Sequence, residues 1–401
     1  MGSYDVLVAG GGPSGLQFAR ELGRRTEHSV GVLEANDELS ENDKSTGGTF
    51  HQVVDGFDVS EEVVMDSSPE VVFEGPDASA RLPIPNHVLD FPAFVEFLGE
   101  RAASHGVDVL TGVRVLEPIV EDGRVVGVRC RRRRQREEVR ADLVVDATGP
   151  AGALTRRLGM WDRTRAQRGI GKEFEVEGRF EEDALLFRFD HRYAPGGYAW
   201  VFPAGEGAFK IGVCWVDDFY ERHARDENTS IDAYIERWIE SDSRWSVESI
   251  RAVHAGEVIS DNSIHRRAGD GIVAVGDSVS SINPLFGEGI RPGMESAEMA
   301  ADIAIEALRA GDTSREALLG YERRWNREKG ASWRRQRIVG ELLYDFDAGQ
   351  QNGFVRRCRS LSEEGAERLQ RYELTIGDLF GLYPFRASDL PKLPRLLRHL
   401  R

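Results

Sequence analysis

Residues 4–15 read YDVLVAGGGPSG, a short apolar run that leads directly into three consecutive glycines. Residues 16–22 then carry apolar side chains at helical spacing, and a second apolar run at residues 30–33 ends at Glu34. Strand, glycine turn, helix and strand in this order are typical of the unit that begins a Rossmann-type domain. The sequence therefore predicts an α/β fold whose first βαβ unit ends at Glu34.

The glycines of this turn have distinct expected roles. Gly10 permits the tight turn, Gly12 lets the backbone approach a pyrophosphate, and Gly15 allows the helix to pack closely on the strand. The helix N-terminus presents free N–H groups to the anion. Glu34 follows at about the 20-residue distance at which a carboxylate accepts hydrogen bonds from ribose hydroxyls. We predict a dinucleotide site here.

A second segment specifies which dinucleotide. Residues 272–275 form an apolar run that enters Gly276 and Asp277, and a long helical pattern begins at Gly289 and Ile290. Asp277 can bind a sugar-alcohol hydroxyl, and the N–H groups at the helix start can stabilise negative charge on a reduced ring. A flavin needs both functions and a nicotinamide needs neither. FAD is the predicted cofactor.

Two further turns are candidates for cofactor contact. The polar, glycine-containing loop at residues 43–49 follows the first βαβ unit, on the side of the sheet where ligands bind. The turn at residues 146–150 ends a strand-like run, and either closes on the cofactor or is a plain exit from a hairpin.

Composition excludes several function classes. The 401-residue chain has a net charge of −16, and only five of its 52 basic residues are lysines, which leaves 47 arginines. This acidic, lysine-poor composition suits a salt-adapted host and argues against broad nucleic-acid binding. We expect the basic run at residues 129–136 to be an exposed β-hairpin rather than an RNA or membrane patch.

The three cysteines lie far apart, so neither a disulfide framework nor a thiolate metal or iron-sulfur site is predicted. No metal site of another kind is predicted. The sequence shows no signal peptide and no apolar run of the ~18 residues that span a bilayer. We predict a cytoplasmic protein, with membrane association left open, whose redox chemistry depends on an organic cofactor.

The middle of the chain has the pattern of a second domain. Residues 170–258 are mostly strand-like, with one helix near 231–239. Within them, GYAWVFP at 197–203 alternates so that three aromatic side chains share one sheet face. Core packing and an apolar ligand wall explain this face equally well. The predicted domains are an FAD domain (1–75, 103–165 and 260–330), a substrate domain (76–102 and 166–259) and a C-terminal helical region (331–401).

Together these segments resemble the geranylgeranyl reductase family, within the larger group of flavoproteins built like p-hydroxybenzoate hydroxylase. The resemblance covers nearly the whole chain and implies a Rossmann-type FAD domain, an inserted antiparallel-sheet substrate domain and a C-terminal helical region. The most discriminating segment is Tyr-x-Trp-x-Phe-Pro at 198–203. The others are GGGPSG with Glu34, KSTGG at 44–48, DATG at 146–149, and GD at 276–277 with NPLFGEGI at 283–290.

The resemblance also implies site residues. In the family, the aromatic residues help line a tunnel for an isoprenoid chain, which favours a ligand wall formed by Tyr198, Trp200, Phe202 and Pro203. The predicted FAD contacts, including the turn residues discussed above, are Gly10, Gly12, Ser14, Gly15, Glu34, Ser45, Thr46, Gly48, Val113, Asp277, Gly287, Glu288, Gly289 and Ile290.

The chain departs from the family where Pro-Cys-Gly-Gly is common, because Ser45 and Thr46 stand in the first two places. No thiol can therefore act there, and the basic residue that the family carries near residues 85–87 is also not evident. The sequence names no catalytic side chain. We interpret the histidines as surface or structural residues because nothing pairs them with a second catalytic group: His87, His191, His254 and His265.

The resemblance implies a reductase that saturates C=C bonds of geranylgeranyl chains by hydride transfer from the N5 atom of reduced FAD. Electrons would come from NAD(P)H or a ferredoxin-like protein. The rival class is an oxygen-using monooxygenase or halogenase: Trp200 and Pro203 partly match the halogenase Trp-x-Trp-x-Ile-Pro element, whereas Tyr198 and Phe202 break it. A quinone-linked electron-transfer flavoprotein lacks its cluster cysteines here, and a redox-silent carotenoid cyclase is a further alternative.

The last residues, 390–401, alternate leucines with basic side chains in the pattern of a basic amphipathic helix. Such a helix either docks on an anionic membrane that holds the lipid substrate or packs over the cofactor domain.

Overall fold

The computed structural model describes residues 2–161, 166–224, 229–260 and 266–386. The strands are β1 Tyr4–Ala9, β2 Val30–Leu33, β3 Gly48–Phe50, β4 Val64–Ser68, β5 Val71–Glu74, β6 Ser79–Leu82, β7 Asn86–Leu89, β8 Asp108–Leu110, β9 Val113–Glu121, β10 Arg124–Arg132, β11 Gln135–Asp146, β12 Gln167–Phe180, β13 Leu185–Arg188, β14 Gly197–Pro203, β15 Ala208–Val216, β16 Trp245–Ser260, β17 Ala268–Gly269 and β18 Ile272–Ala274. The helices are α1 Pro13–Arg25, α2 His51–Gly56, α3 Phe91–Ser104, α4 Asp217–His223, α5 Ile231–Ile239, α6 Ile290–Arg309, α7 Arg315–Trp325, α8 Ala331–Tyr344, α9 Ala348–Cys358, α10 Glu363–Arg371 and α11 Ile376–Leu382.

The N-terminal βαβ unit lies at the centre of the first sheet. The strand order of this sheet is β17-β18-β11-β1-β2-β8, and β1 pairs in parallel with both β2 and β11. Helix α1 crosses between β1 and β2 and packs against α3 and α6. The predicted strands at 4–9 and 30–33 are confirmed, and the Rossmann-type order places the ends of β1 and β11 side by side, since Ala9 pairs with Asp146.

The basic run is an exposed hairpin, as predicted. Strands β10 and β11 pair antiparallel and turn at Arg133, whose φ is 54°. Arg129 forms ion pairs with Glu117 and Glu138 on the neighbouring strands, at 3.1 and 2.9 Å. The run is therefore exposed to solvent, and Arg129 is paired with acids on the neighbouring strands, as is usual for a charged strand surface.

A second sheet of seven strands has the order β16-β12-β15-β14-β13-β5-β6, and all its pairs are antiparallel except β13 with β5. This confirms the expected antiparallel-sheet domain. Its strands alternate, so one face packs its apolar side chains against α5, through Trp238 and Tyr234 among others. The opposite face carries the residues described in the next subsection.

The predicted domain boundaries stay a prediction. Within the stretch 76–102, β6 pairs with β5 in the seven-stranded sheet, whereas α3 packs against α1. Helices α8 to α11 make the C-terminal region helical, as expected, and contribute Tyr344 and Phe354 to a core shared with the second sheet. The basic segment at 390–401 and His265 lie outside the described residues. Among the described helices, none is long and apolar enough to cross a membrane.

Replacing Gly15 with alanine should destabilise the FAD domain. A Cβ at Gly15 would stand 2.1 Å from the carbonyl oxygen of Gly10, so α1 would have to move away from β1. Overpacking of this kind costs about 1–3 kcal/mol, measurable by denaturant unfolding. Gly56→Ala is the matched control, because nothing lies within 4 Å of its Cβ position. Equal stability of the two variants would contradict the close helix-strand contact.

Candidate functional site

A large cavity of about 820 Å³ is bounded by residues of both large sheets. It brings together most of the residues predicted from the sequence, although they are spread from residue 10 to residue 290. Those at its wall are Gly10, Gly12, Ser14, Glu34, Ser45, Thr46, Gly48, Asp277, Gly287, Glu288, Gly289 and Ile290, with Tyr198, Trp200 and Phe202.

Three predicted contacts lie away from the cavity wall. Gly15 packs against the Gly10 backbone. Val113 is fully buried and donates its N–H to the carbonyl oxygen of Glu34 at 2.7 Å, while its neighbours Arg114 and Val115 reach the cavity. Pro203 is buried and directly follows Phe202. Because consecutive strand residues point to opposite faces, its side chain lies on the face of the sheet opposite the aromatic residues. Periodicity could have separated Pro203 from the aromatic residues.

The glycine-rich turn presents an uncapped helix N-terminus to the cavity. Gly12 is the N-cap of α1 and supplies no side chain to bind the first N–H groups, and Pro13 follows it. Gly10 has a φ of 110°, and a Cβ there would lie 2.2 Å from the carbonyl oxygen of Ala147. Free N–H groups and the positive end of the helix dipole fit a pyrophosphate.

Glu34 is held by backbone donors at the end of β2. Its carboxylate accepts hydrogen bonds from the N–H groups of Gly11, at 2.7 Å, and Asn36, at 2.8 Å. These bonds fix both oxygens at the cavity wall and leave lone pairs for further donors. A ribose diol would supply those donors.

The second half of the cofactor site is the turn that follows β18. The Asp277 carboxylate is half-buried, and no described residue donates a hydrogen bond to it. Burial, with a smaller contribution from Glu288, raises the pKa of Asp277 to about 6. Helix α6 begins beside it at Gly289 without a side-chain cap. Ribityl hydroxyls would satisfy the Asp277 carboxylate, so this half also fits FAD.

Glu288 ties the cofactor loop to the C-terminal helices. Its carboxylate accepts hydrogen bonds from the N–H of Arg291 at 2.8 Å and from the hydroxyl of Tyr372 at 2.9 Å. The Arg291 guanidinium also stacks on the Tyr372 ring, 4.5 Å from its centroid. Glu288 therefore serves to position the loop in this structure.

The loop before β3 closes on the second sheet. Gly47 has a φ of 76°, and a Cβ at Gly48 would lie 2.6 Å from the Phe202 ring. The Thr46 hydroxyl accepts a hydrogen bond from the N–H of Gly48 at 3.3 Å, and its carbonyl oxygen accepts one from Lys210 Nζ at 3.2 Å. Thr46, at the position of the family cysteine, thus lies at the cavity and carries a hydroxyl there.

The predicted aromatic face lines the cavity. Phe187, which the sequence analysis missed, joins it with ring centroids 5.6 Å from Tyr198 and 5.1 Å from Phe202. We call Tyr198, Trp200, Phe202 and Phe187 the aromatic wall. The Tyr198 hydroxyl donates to the carbonyl oxygen of Phe286 at 2.6 Å and so links this wall to the cofactor loop. Phe187 lies on another strand, and only the β13–β14 pairing places it there.

Charged residues beside the aromatic wall were also missed. Glu173 and Lys210 are each 2% exposed, and Glu173 lines the cavity. His254, interpreted from the sequence as structural, lines the cavity too and forms an ion pair with Asp43 at 3.2 Å. His87 contacts Ser67, and His191 stacks on a second histidine. Buried charges on a strand surface can be detected in sequence only when the burial of that surface is already known.

Comparisons with known proteins show which proteins this chain is similar to. The family model for FAD dependent oxidoreductases matches residues 59–296. The digeranylgeranylglycerophospholipid reductase of Haloferax volcanii is 37% identical over 362 residues, covering 85% of this chain and 86% of that protein. A geranylgeranyl bacteriochlorophyll reductase-like protein from Thermoplasma acidophilum shares the fold, with a TM-score of 0.85, 21% identity and full coverage of both chains. The flavin-dependent brominase Bmp2, as a triple mutant, shares it with a TM-score of 0.73, 17% identity and coverage of 98% and 100%.

Glu34→Gln should weaken FAD binding by about tenfold or more. The amide keeps one acceptor oxygen but loses the charge, and hydrogen bonds to charged groups contribute roughly 1.5–3 kcal/mol each. Titrating apoprotein with FAD and following the quenching of flavin fluorescence gives the dissociation constant. Glu27→Gln, an exposed carboxylate in the same βαβ unit, is the control. An unchanged constant for Glu34→Gln would place the ribose elsewhere.

Proposed function

The chain belongs to the family of digeranylgeranylglycerophospholipid reductases, and on this premise we propose that it saturates C=C bonds in the geranylgeranyl chains of archaeal-type membrane lipids. The enzyme is an FAD-dependent oxidoreductase. The observation that carries the substrate assignment is the continuity of the cavity. One volume of about 820 Å³ reaches from the glycine-rich turn to the aromatic wall.

The residues of the chain bind and orient the two reactants. The N-terminus of α1 and Glu34 would hold the ADP half of FAD, and Asp277 with the start of α6 would hold the ribityl chain and the ring. When bound and reduced, FAD supplies the hydride. Because an isolated alkene accepts hydride poorly, the aromatic wall has to keep the isoprenoid chain against the ring and exclude water from it.

We propose that NAD(P)H docks transiently or that a ferredoxin-like protein delivers electrons. The C-terminal helices close part of the cavity through Tyr344, Leu369 and Tyr372, so a donor would approach from another side.

An oxygen-using monooxygenase or halogenase is the second candidate, favoured only by the shared fold with the brominase. At 17% identity that likeness concerns the fold. Tyr198 and Phe202 stand where the halogenase element has Trp and Ile. The sequence is 37% identical to that of a reductase.

An anaerobic single-turnover experiment should distinguish the two candidates. Dithionite-reduced protein mixed with a geranylgeranylated phospholipid in high salt should reoxidise its flavin while the lipid gains two hydrogens per turnover. Flavin absorbance and lipid mass are followed together, with a fully saturated lipid as the control that leaves the flavin reduced. A flavin that reoxidises only when oxygen is admitted, with oxygen appearing in the product, would support the monooxygenase.

We further propose a peripheral membrane contact through the end of the chain. Three apolar side chains near the last described residues, Ile376, Phe380 and Phe385, are exposed. The segment 390–401 that follows carries the basic amphipathic pattern. Apolar side chains next to cations are what an anionic lipid surface binds.

Deleting residues 391–401 should weaken binding to anionic lipid vesicles by about tenfold or more, since each basic residue near such a surface contributes about 1 kcal/mol. Co-sedimentation measures the binding. The matched control replaces four exposed cations of the β10–β11 hairpin with glutamine and should bind normally: Arg131, Arg132, Arg133 and Arg134. Undiminished binding of the deletion variant would exclude the tail as the anchor.

A further inference from the structure

The cofactor loop, residues 281–288, leads from the turn after β18 to the start of α6, and most of its residues line the cavity. Asn283 sets the shape of this loop. Its Oδ1 accepts hydrogen bonds from the N–H groups of Leu285, at 2.9 Å, and Phe286, at 3.0 Å. Its backbone N–H donates to the carbonyl oxygen of Glu288 at 2.9 Å. The loop therefore curls around one buried side chain.

The carbonyl groups of the loop bond outward to the C-terminal helical region. Trp333 Nε1 donates to the carbonyl oxygens of Ser281, at 3.2 Å, and Ile282, at 3.0 Å. The hydroxyl of Tyr344 donates to the carbonyl oxygen of Leu285. Both donors lie on α8, so a helix from another part of the chain satisfies acceptors that the loop leaves open.

Gln336, also on α8, joins Asn283 to Tyr372. Because Asn283 Oδ1 already accepts two backbone N–H groups, its amino group faces Gln336 and donates to Oε1 at 2.5 Å. Gln336 Nε2 in turn donates to the carbonyl oxygen of Tyr372 at 2.9 Å. All three residues are 1% exposed. A buried amide that is bonded at both ends has one orientation, so it fixes the distance between the loop and Tyr372.

Tyr372 makes the second connection to the loop and lines the cavity. Its hydroxyl donates to Glu288 Oε2 at 2.9 Å. Its φ of 61° is a left-handed conformation that residues with side chains rarely adopt, so the surrounding packing has to hold it there. Its ring makes edge contacts with Phe50 and Trp333, at centroid distances of 5.9 and 6.0 Å. The hydroxyl is thus aimed at the loop by a rigid environment.

We propose that Gln336 and Tyr372 are positioning residues for the flavin half of the FAD site. They hold the cofactor loop in one form before FAD binds, so that binding does not have to order it. The C-terminal helical region is thereby part of the cofactor site. The N-terminus of α1 and Glu34, which would hold the ADP half, take no part in these bonds. Loss of either positioning residue therefore affects binding of the flavin half alone.

Comparing FAD with ADP tests this division of the site. Tyr372→Phe removes one hydroxyl and keeps the ring, and it should weaken FAD binding by about tenfold, since a bond to a buried carboxyl group is lost. Its affinity for ADP should equal that of the wild type. Gln336→Met, similar in length but unable to bond Asn283, should show the same pattern. Isothermal titration calorimetry of the apoprotein gives both dissociation constants.

Two further variants serve as controls. Tyr4→Phe also removes a hydroxyl that donates to a carboxylate, that of Asp108 at 3.1 Å, but Tyr4 lies away from the cavity. It should bind FAD and ADP as the wild type does. Glu34→Gln should weaken binding of both ligands, because the ribose that Glu34 would bind belongs to the ADP half.

The pattern of losses decides the proposal. An FAD affinity that falls while the ADP affinity is kept, in both Tyr372→Phe and Gln336→Met, would support it. Equal losses for the two ligands would mean that these residues only stabilise the fold, and unchanged FAD affinity would mean that the loop needs neither; each result would overturn the proposal. The titrations use no lipid, so failure of the proposed function in the single-turnover experiment would leave this result standing.

Discussion

The close contact between two glycine segments, far apart in the sequence, determines the rest of the site. A Cβ at Gly276 would lie 2.4 Å from the Ser14 hydroxyl oxygen, and one at Gly293 would lie 2.6 Å from it. Glycine is favoured most strongly at position 276, where φ is 61° and a Cβ would also lie 2.9 Å from the Ser14 Cβ. Because of this contact, α1 and α6 pack together and both begin at one cavity. The uncapped N-terminus of α1 fits the pyrophosphate of a dinucleotide.

The second sheet uses its two faces differently. One face packs against α5 as an ordinary apolar core. The other combines the aromatic wall with glycines, including Gly171 and Gly256, at the wall of the cavity. An alternating strand pattern therefore served two purposes at once, and the core and ligand-wall explanations of the aromatic residues are compatible.

The polar groups on this ligand-facing surface are arranged in pairs. Lys210 supports the loop backbone at Thr46 and lies near Glu175, while His254 bridges Glu175 and Asp43. Glu173 stands outside these pairs, bound only to the Trp200 indole among the described residues. Burial raises the pKa of Glu173, since an apolar environment disfavours the charged form of a carboxyl group.

The sequence by itself determined the local units: the βαβ start with Glu34, the strand and turn that lead into Asp277, the exposed arginine hairpin, and the shared face of Tyr198, Trp200 and Phe202. These follow from short-range rules, since glycine turns, helix starts and strand alternation depend on neighbouring residues.

The same rules could not show that Val113 is buried or that Phe187 completes the aromatic wall. Nor could they find Glu173, whose meeting with Trp200 depends on the register of three strands and on Gly212 between them. Only the tertiary structure decided these points, because burial and pairing between distant strands are set by how the whole chain packs.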